Sequence, residues 1–274
     1  SLVVRNAQKN KTIKINLNEI HTLIIESTAV SLTAALLVEL MKRKIKVIFC
    51  DEKRNPNSEL IPYYNSHDVS AKVRSQISWN NEWKKEVWTE IVREKIKNQA
   101  RLLKKLEYEE YEILENYSKE IEIGDTTNKE AHSAKVYFNT LFGTGFSRAD
   151  DNSINAALNY GYSLILSAVN KEIVANGYLT LLGIFHDNMF NPFNLSSDLM
   201  EIFRPLIDEK VIEMKPEKFE TEEKHELLNI LNKTVIINSK NVFLTQAIKI
   251  YCKSVLDSIQ EKDLSLIKFY QNEL

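Results

Sequence analysis

Apolar residues alternate with polar ones from Ile13 through Ile15 to Leu17, with Lys14 and Asn16 between them, a period of two that predicts a half-buried strand. Thr22-Leu23-Ile24-Ile25 and Lys46-Val47-Ile48-Phe49-Cys50 are short apolar runs of strand length, the second ended by Asp51. Between them Leu32, Leu36, Leu37, Leu40 and Met41 share one helical face, with Ser31 as the candidate N-cap. Turn formers cluster at Asn55-Pro56-Asn57-Ser58 and at Pro62, and after Asp68, itself a good N-cap, strand patterning does not return until Val235.

Beyond Asp68 the period is helical. Val69, Val73 and Ile77 form one set, Trp83, Val87 and Ile91 a second, and Ile96, Ala100 and Leu103 a third, with a break in phase near Asn80-Asn81 that predicts a kink or a helix end. Further helices are expected over residues 128–142, 152–175 and 196–210, the middle one closed by Asn176-Gly177. Val235-Ile236-Ile237 and Val242-Phe243-Leu244 read as a hairpin, residues 245–259 as a helix, and residues 209–226 as an exposed connection. The expected fold is therefore α+β, with a small N-terminal β-rich domain containing one helix over residues 1–67. A larger, mainly α-helical domain follows over residues 68–274.

Composition adds limits. At 274 residues, 43% hydrophobic and 27% charged, the chain is a folded globular protein and neither a disordered segment nor a disulfide scaffold. Cys50 and Cys252 provide no disulfide or zinc framework. Residues 152–170 lack Asp, Glu, Lys and Arg over roughly the 18 residues a bilayer requires, but they are studded with Asn and Ser, so no membrane span is expected. The first residues lack the order of a secretory signal, and a reducing cytoplasm is the expected compartment. The net charge is only -2, yet it is unevenly spread. Residues 69–106 carry ten basic side chains against four acidic, whereas residues 107–125 carry eight acids against Lys119 alone, so the two signs are segregated along what reads as one helical region.

Three places put ionisable groups where packing alone would favour an apolar residue. Glu130 shares a helical stripe with Ala134, Tyr137 and Leu141; either it is covered and needs a cation, or it is a first-turn acid held in solvent by the helix dipole. His186 ends the apolar run 178–185, as a ligand or as a boundary histidine bonded to a carbonyl. Asp198 and Glu201 stand three apart, one turn before Phe203-Arg204-Pro205. Carboxylates and an imidazole on separate elements match an oxygen-rich divalent site with one nitrogen ligand, which suits Mg2+ or Mn2+ and phosphodiester chemistry. The basic helical residues would then hold a nucleic-acid backbone by charge.

Three blocks carry a more specific likeness. Asn128-Lys129-Glu130-Ala131-His132-Ser133-Ala134, then Asp151-Asn152-Ser153-Ile154-Asn155-Ala156-Ala157-Leu158-Asn159-Tyr160-Gly161-Tyr162, then Phe193-Asn194-Leu195-Ser196-Ser197-Asp198-Leu199-Met200-Glu201-Ile202-Phe203-Arg204-Pro205 occur in that order. Together they resemble the CRISPR-associated spacer-acquisition integrase family. Phe49-Cys50-Asp51-Glu52-Lys53-Arg54 with Pro62-Tyr63-Tyr64 is most similar to members that accompany a single-protein, Cas9-type (type II) effector. The resemblance implies that the helical domain is catalytic, with Glu130, His186 and Glu201 as both catalytic residues and ligands of Mg2+ or Mn2+, and with Asp198 in a secondary, orienting role. It implies insertion of short foreign DNA into a CRISPR array by 3′-hydroxyl attack on a repeat phosphodiester. Implied partners are double-stranded DNA, a second copy of the chain, a dimer of a small ferredoxin-like protein, the effector nuclease and a DNA-end-binding ring protein. Two other functions use the same residues differently: a non-catalytic DNA-binding scaffold, and a structure-specific repair nuclease. Only nineteen residues precede Ile20, so the resemblance also implies an N-terminal sheet that is either reduced or missing a mobile hairpin near residues 7–11. Tyr160 and Tyr162 are expected to pack the helical core.

Overall fold

A computed structural model describes residues 1–6, 10–62 and 66–272. It divides into two compact units, Ser1–Tyr64 and Asn65–Leu274. In the first, β1 (Leu2–Asn6) pairs antiparallel with β2 (Lys11–Ile15), Leu2 opposite Ile15. Leu17, expected in a strand, instead lies buried in a 3₁₀ turn that follows β2. The residues joining the two strands, and with them much of the segment where a hairpin was expected to be missing, lie outside the described residues, as do Tyr63 and Tyr64.

A second sheet has the order β3 (Thr22–Ile25), β4 (Lys46–Cys50), β5 (Pro56–Leu60). β3 and β4 run parallel, and α1 (Ala34–Lys42) is the helix that parallel neighbours require between them. Thr33 rather than Ser31 caps it, accepting a hydrogen bond from the Leu36 amide at 3.3 Å. β5 pairs antiparallel with β4 where turn formers were expected. As an edge strand it tolerates Pro56 at its first position, because no ladder bond there needs a proline N–H. Leu2, Leu17, Leu40, Ile45 and Val47 form the core of this unit.

The second unit is helical: α2 (Val69–Ile77), α3 (Asn81–Lys105), α4 (Tyr111–Lys119), α5 (Lys129–Phe142), α6 (Ser153–Ala175), α7 (Asn194–Met200), α8 (Arg204–Met214), α9 (Thr221–Leu228), then β6 (Thr234–Ile237), β7 (Lys240–Phe243) and α10 (Leu244–Glu261). Asn80 and Asn152 cap α3 and α6 through their side-chain oxygens, the first accounting for the phase break. The basic and acidic stretches prove to be two helices, broken where Glu107 turns left-handed at φ 64°. The expected helix over 196–210 is also interrupted. Residues 201–203 tighten into a 3₁₀ turn and α8 starts afresh, since Pro205 fits a first turn but would break a helix interior. Residues 209–226 are not a loose connection: α8 runs through them to Met214, and α9 begins at Thr221. The hairpin β6–β7 turns at Asn238 and Ser239, both with positive φ, and Leu244 belongs to α10. Among the described residues no helix is long and apolar enough to cross a membrane.

Candidate active site

α3 is the element around which the site is built, and its buried face is partly polar. Thr89, Glu94, Lys95, Asn98 and Gln99 are buried along with Trp88, Ile91 and Ile96. A buried polar group must be matched by a partner, and the last three side chains of that polar set reach two other elements, α5 and the 201–203 turn. The amide of Asn98 donates to the Ile202 carbonyl at 3.0 Å, which Tyr270 also reaches through its hydroxyl at 3.0 Å. Gln99 accepts from Ser133 of α5 at 2.8 Å. These bonds pin the turn at 201–203 and the start of α5 to one helix, placing Glu201 and Glu130 on either side of Lys95.

The ammonium of Lys95 lies 2.6 Å from Glu130 and 2.5 Å from Glu201. Glu201 is 2% exposed, and its other oxygen pairs with Arg204 at 2.9 Å. Burial would push the Glu201 carboxyl up, but Arg204 and Lys95 outweigh it and hold it below its ordinary value. Lys95 moves the opposite way: burial opposes its charge, and Glu201 and Glu130 raise its pKa nonetheless. The Glu130 side chain keeps a quarter of its surface, so it is neither the free first-turn acid nor fully covered, but a partner in this pair. The Arg204 guanidinium lies 4.8 Å from the Tyr162 ring centre.

His186 and Asp198 form the other half. Asp198 is wholly buried and accepts from the backbone amides of Ile184, Phe185 and His186 at 2.6, 3.1 and 3.1 Å. Its Oδ1 also receives the His186 Nδ1 proton at 2.6 Å. The histidine partner is thus a carboxylate, not the carbonyl weighed from sequence, and this bond raises the imidazole pKa. With Nδ1 committed, the neutral ring offers Nε2 as a lone-pair donor. The chain passes so close here that a β-carbon at Gly183 would strike the His186 carbonyl and press on Asp198 Oδ2. Trp88, two turns before Lys95 on α3, holds the imidazole edge-on at 5.8 Å and stacks on Phe185 at 4.5 Å.

Glu130, His186, Glu201 and Asp198 therefore fall in one region: the two glutamates share one ammonium, and both charges act on the imidazole. Among the described residues no three His, Cys, Asp or Glu side chains are gathered tightly enough to hold an ion as they stand. The donor chemistry nonetheless fits magnesium or manganese: two carboxylates, one imidazole nitrogen, and in Glu201 Oε2 a buried oxygen met by the Lys95 ammonium alone. Lys95, Trp88 and Arg204 complete the site. In sequence Lys95 is one of the ten basic residues of 69–106, with nothing to single it out. That basic set is in large part neutralised by neighbours, with Lys85 on Glu82, Arg93 on Glu90, Arg101 on Glu94 and Lys105 on Glu209.

Comparison with solved structures shows the fold. The chain superimposes with a TM-score of 0.75 on a casposase bound to integration product, covering 91% of this chain and 81% of that one at 19% identity. It superimposes with a TM-score of 0.72 on a chain of a Cas6-RT-Cas1--Cas2 complex, covering 97% of this chain and 33% of that one at 18% identity. At such identities the likeness is one of fold. The model of the family described as CRISPR associated protein Cas1 matches residues 1–239, and the chain belongs to that family. A CRISPR-associated endonuclease Cas1 from Neisseria meningitidis serogroup C is 36% identical over 208 residues, 76% of this chain and 68% of that protein.

Proposed function

We propose that the protein is a divalent-metal-dependent DNA integrase and endonuclease that inserts short foreign DNA fragments into a CRISPR array. The observation that supports this reading most is the site itself: Glu130, Glu201 and the Asp198-oriented His186 present two carboxylates and one free imidazole nitrogen in a family that includes named endonucleases. Glu130, His186 and Glu201 would hold Mg2+ or Mn2+. A bound divalent ion supplies a Lewis acid for a scissile phosphate and offsets charge developing on phosphorus. The chain's own part is positional. Asp198, fixed by three amides, keeps the imidazole in the tautomer with Nε2 free, and Arg204 keeps Glu201 ionised. The nucleophile belongs to the DNA, as its 3′-hydroxyl, so no covalent enzyme intermediate is needed.

The same reading takes as partners double-stranded DNA, a second copy of the chain, and a Cas2-type protein, as in the complex named above. The Neisseria relative favours a type II setting. The test is transfer of a short duplex into a supercoiled plasmid carrying leader and repeat, with Mg2+ or Mn2+ supplied. Glu130→Gln and His186→Asn are expected to lose strand transfer while melting near the parent temperature; retained transfer would remove the assigned residues from the chemistry. Transfer that is indifferent to chelation would favour a scaffold.

A further inference from the structure

Lys95 stands where two acids proposed as ligands come closest, and it does so as a buried cation. Its side chain is 9% exposed, with 2.6 Å to Glu130 and 2.5 Å to Glu201. The two carboxylates come from α5 and from the turn after α7, which the Asn98 and Gln99 bonds hold against α3 on either side of Lys95. Left alone they would repel and carry an unmatched desolvation cost, so some cation is required for the site to fold. Mg2+ demands oxygen ligands at about 2.0–2.1 Å in near-octahedral arrangement, and an ammonium already within hydrogen-bonding distance of both carboxylates fills the same space. The two cations are mutually exclusive at that point.

We propose that Lys95 is a built-in counter-cation that occupies the gap between Glu130 and Glu201 until a divalent ion displaces it, and that it thereby sets how tightly the protein takes that ion. This rests on the functional reading above, because it assumes that the two glutamates are metal ligands. The lysine stem is flexible and the ammonium a compact point charge, so withdrawal costs little geometry. Arg204 is not the displaced cation: it bonds the opposite oxygen of Glu201 and lies over the Tyr162 ring, so it remains when the ion arrives. The arrangement keeps the two acids paired in the absence of the ion, at the expense of ion affinity. Lys95 is thus a positioning residue whose effect is read in ion binding, separately from DNA chemistry.

The experiment is titration of the full-length protein with Mn2+ by calorimetry and by melting temperature, without DNA. Lys95→Met, which keeps the stem and removes the charge, is expected to bind Mn2+ at least about tenfold more tightly than the parent, since one opposing unit charge is gone. Its melting temperature without Mn2+ is expected to be lower, and its gain on adding Mn2+ larger. Lys95→Arg, which keeps the charge, is expected to bind no more tightly than the parent. Unchanged or weaker Mn2+ binding by a folded Lys95→Met protein overturns the proposal. Should Lys95→Met not fold, the parent crystallised with Mn2+ decides: an ammonium withdrawn from the gap supports the exchange, and one still within about 3 Å of both carboxylates overturns it. The functional reading fails separately: parent Mn2+ binding that survives Glu130→Gln unchanged removes the ligand assignment, whatever Lys95 does.

Discussion

Glu201 and Asp208 are both carboxylates buried to within 2% of full coverage, on the same stretch of chain, yet the protein treats them in opposite ways. Glu201 lies between two cations, Lys95 and Arg204, and its carboxyl is held below its ordinary value. Asp208 is met instead by the hydroxyls of Tyr137, at 2.9 Å, and Tyr162. Burial pushes its carboxyl up to about 6, and the two hydroxyl bonds and Arg204 only temper that rise. Hydroxyls satisfy lone pairs without matching charge, whereas cations do both. The choice of partner separates an acid held below its ordinary value from one whose proton is held more tightly than usual. The two tyrosines also answer for their own burial, since each phenol is raised well above its usual value by desolvation.

The comparison breaks most sharply if Glu201 is removed. Glu201→Ala leaves Arg204 without its carboxylate and Lys95 with Glu130 alone, and loss of one member of a buried ionic group costs about 3–5 kcal/mol. Denaturant unfolding is the measurement; a loss under about 1 kcal/mol would show that water already reaches the cations.

Asp208→Asn tests the other acid, through pH. The folded carboxyl titrates near 6 against an ordinary 3.8, so the folded state holds this proton more tightly than the unfolded one. Its contribution is fully favourable below about pH 4, declines as pH rises, and becomes a constant penalty of roughly 3 kcal/mol above pH 6. The stability difference between Asp208→Asn and the parent, followed by denaturant unfolding from pH 4 to 7, is expected to shift in favour of the variant as pH rises and then level off. A flat difference would mean that the aspartate keeps its ordinary affinity for protons.

Gly161→Ala perturbs the hydroxyl site alone. A β-carbon at position 161 would run into Ile207, which adjoins Asp208 as Gly161 adjoins Tyr162, so α6 and α8 must separate. Overpacking of this kind costs about 1–3 kcal/mol, read as a lower melting temperature. Mn2+ binding is expected to hold steady if the two acid sites are independent.

The sites differ as well in how legible they were in the sequence. Glu130, His186, Asp198 and Glu201 stood out because each interrupts or borders an apolar stripe, where an ionisable group asks for a partner. Lys95 did not, since Arg93, Glu94 and Lys97 surround it with alternating charge, and helical phase alone does not say which side of a long helix is covered. Trp88, two turns earlier on the same face, was the available sign. The helix break at Glu107 was hidden because the chain turns left-handed there without a glycine, and β5 because an edge strand can open on the very residues that make turns. Asp208 sits in Ile207-Asp208-Glu209-Lys210, which reads as a solvated helical face; only the tertiary position of Tyr137 and Tyr162 makes it an interior group.

Tyr162 joins the two regions, with its hydroxyl on Asp208 and its ring under Arg204, and it offers the finest test. Tyr162→Phe keeps the ring and removes one donor, so the cost should be that of a single net hydrogen bond, about 1 kcal/mol. Its specific mark is at Asp208: with one lowering influence gone, the carboxyl titrates above its parent value, and the pH at which the stability difference levels off moves upward. Mn2+ affinity should not change, because Arg204 still has its aromatic face and its bond to Glu201. Tyr162→Leu removes the ring too and should weaken the hold on Arg204 by a further 0.5–1 kcal/mol or so, the worth of a cation–π contact at a partly exposed site. A double-mutant cycle pairing each variant with Glu201→Ala separates the cases, since only the leucine should show a coupling term. Equal coupling in both variants would mean that the hydroxyl, not the ring, carries the link, and that the ionic and the hydroxyl-bonded acids form one network.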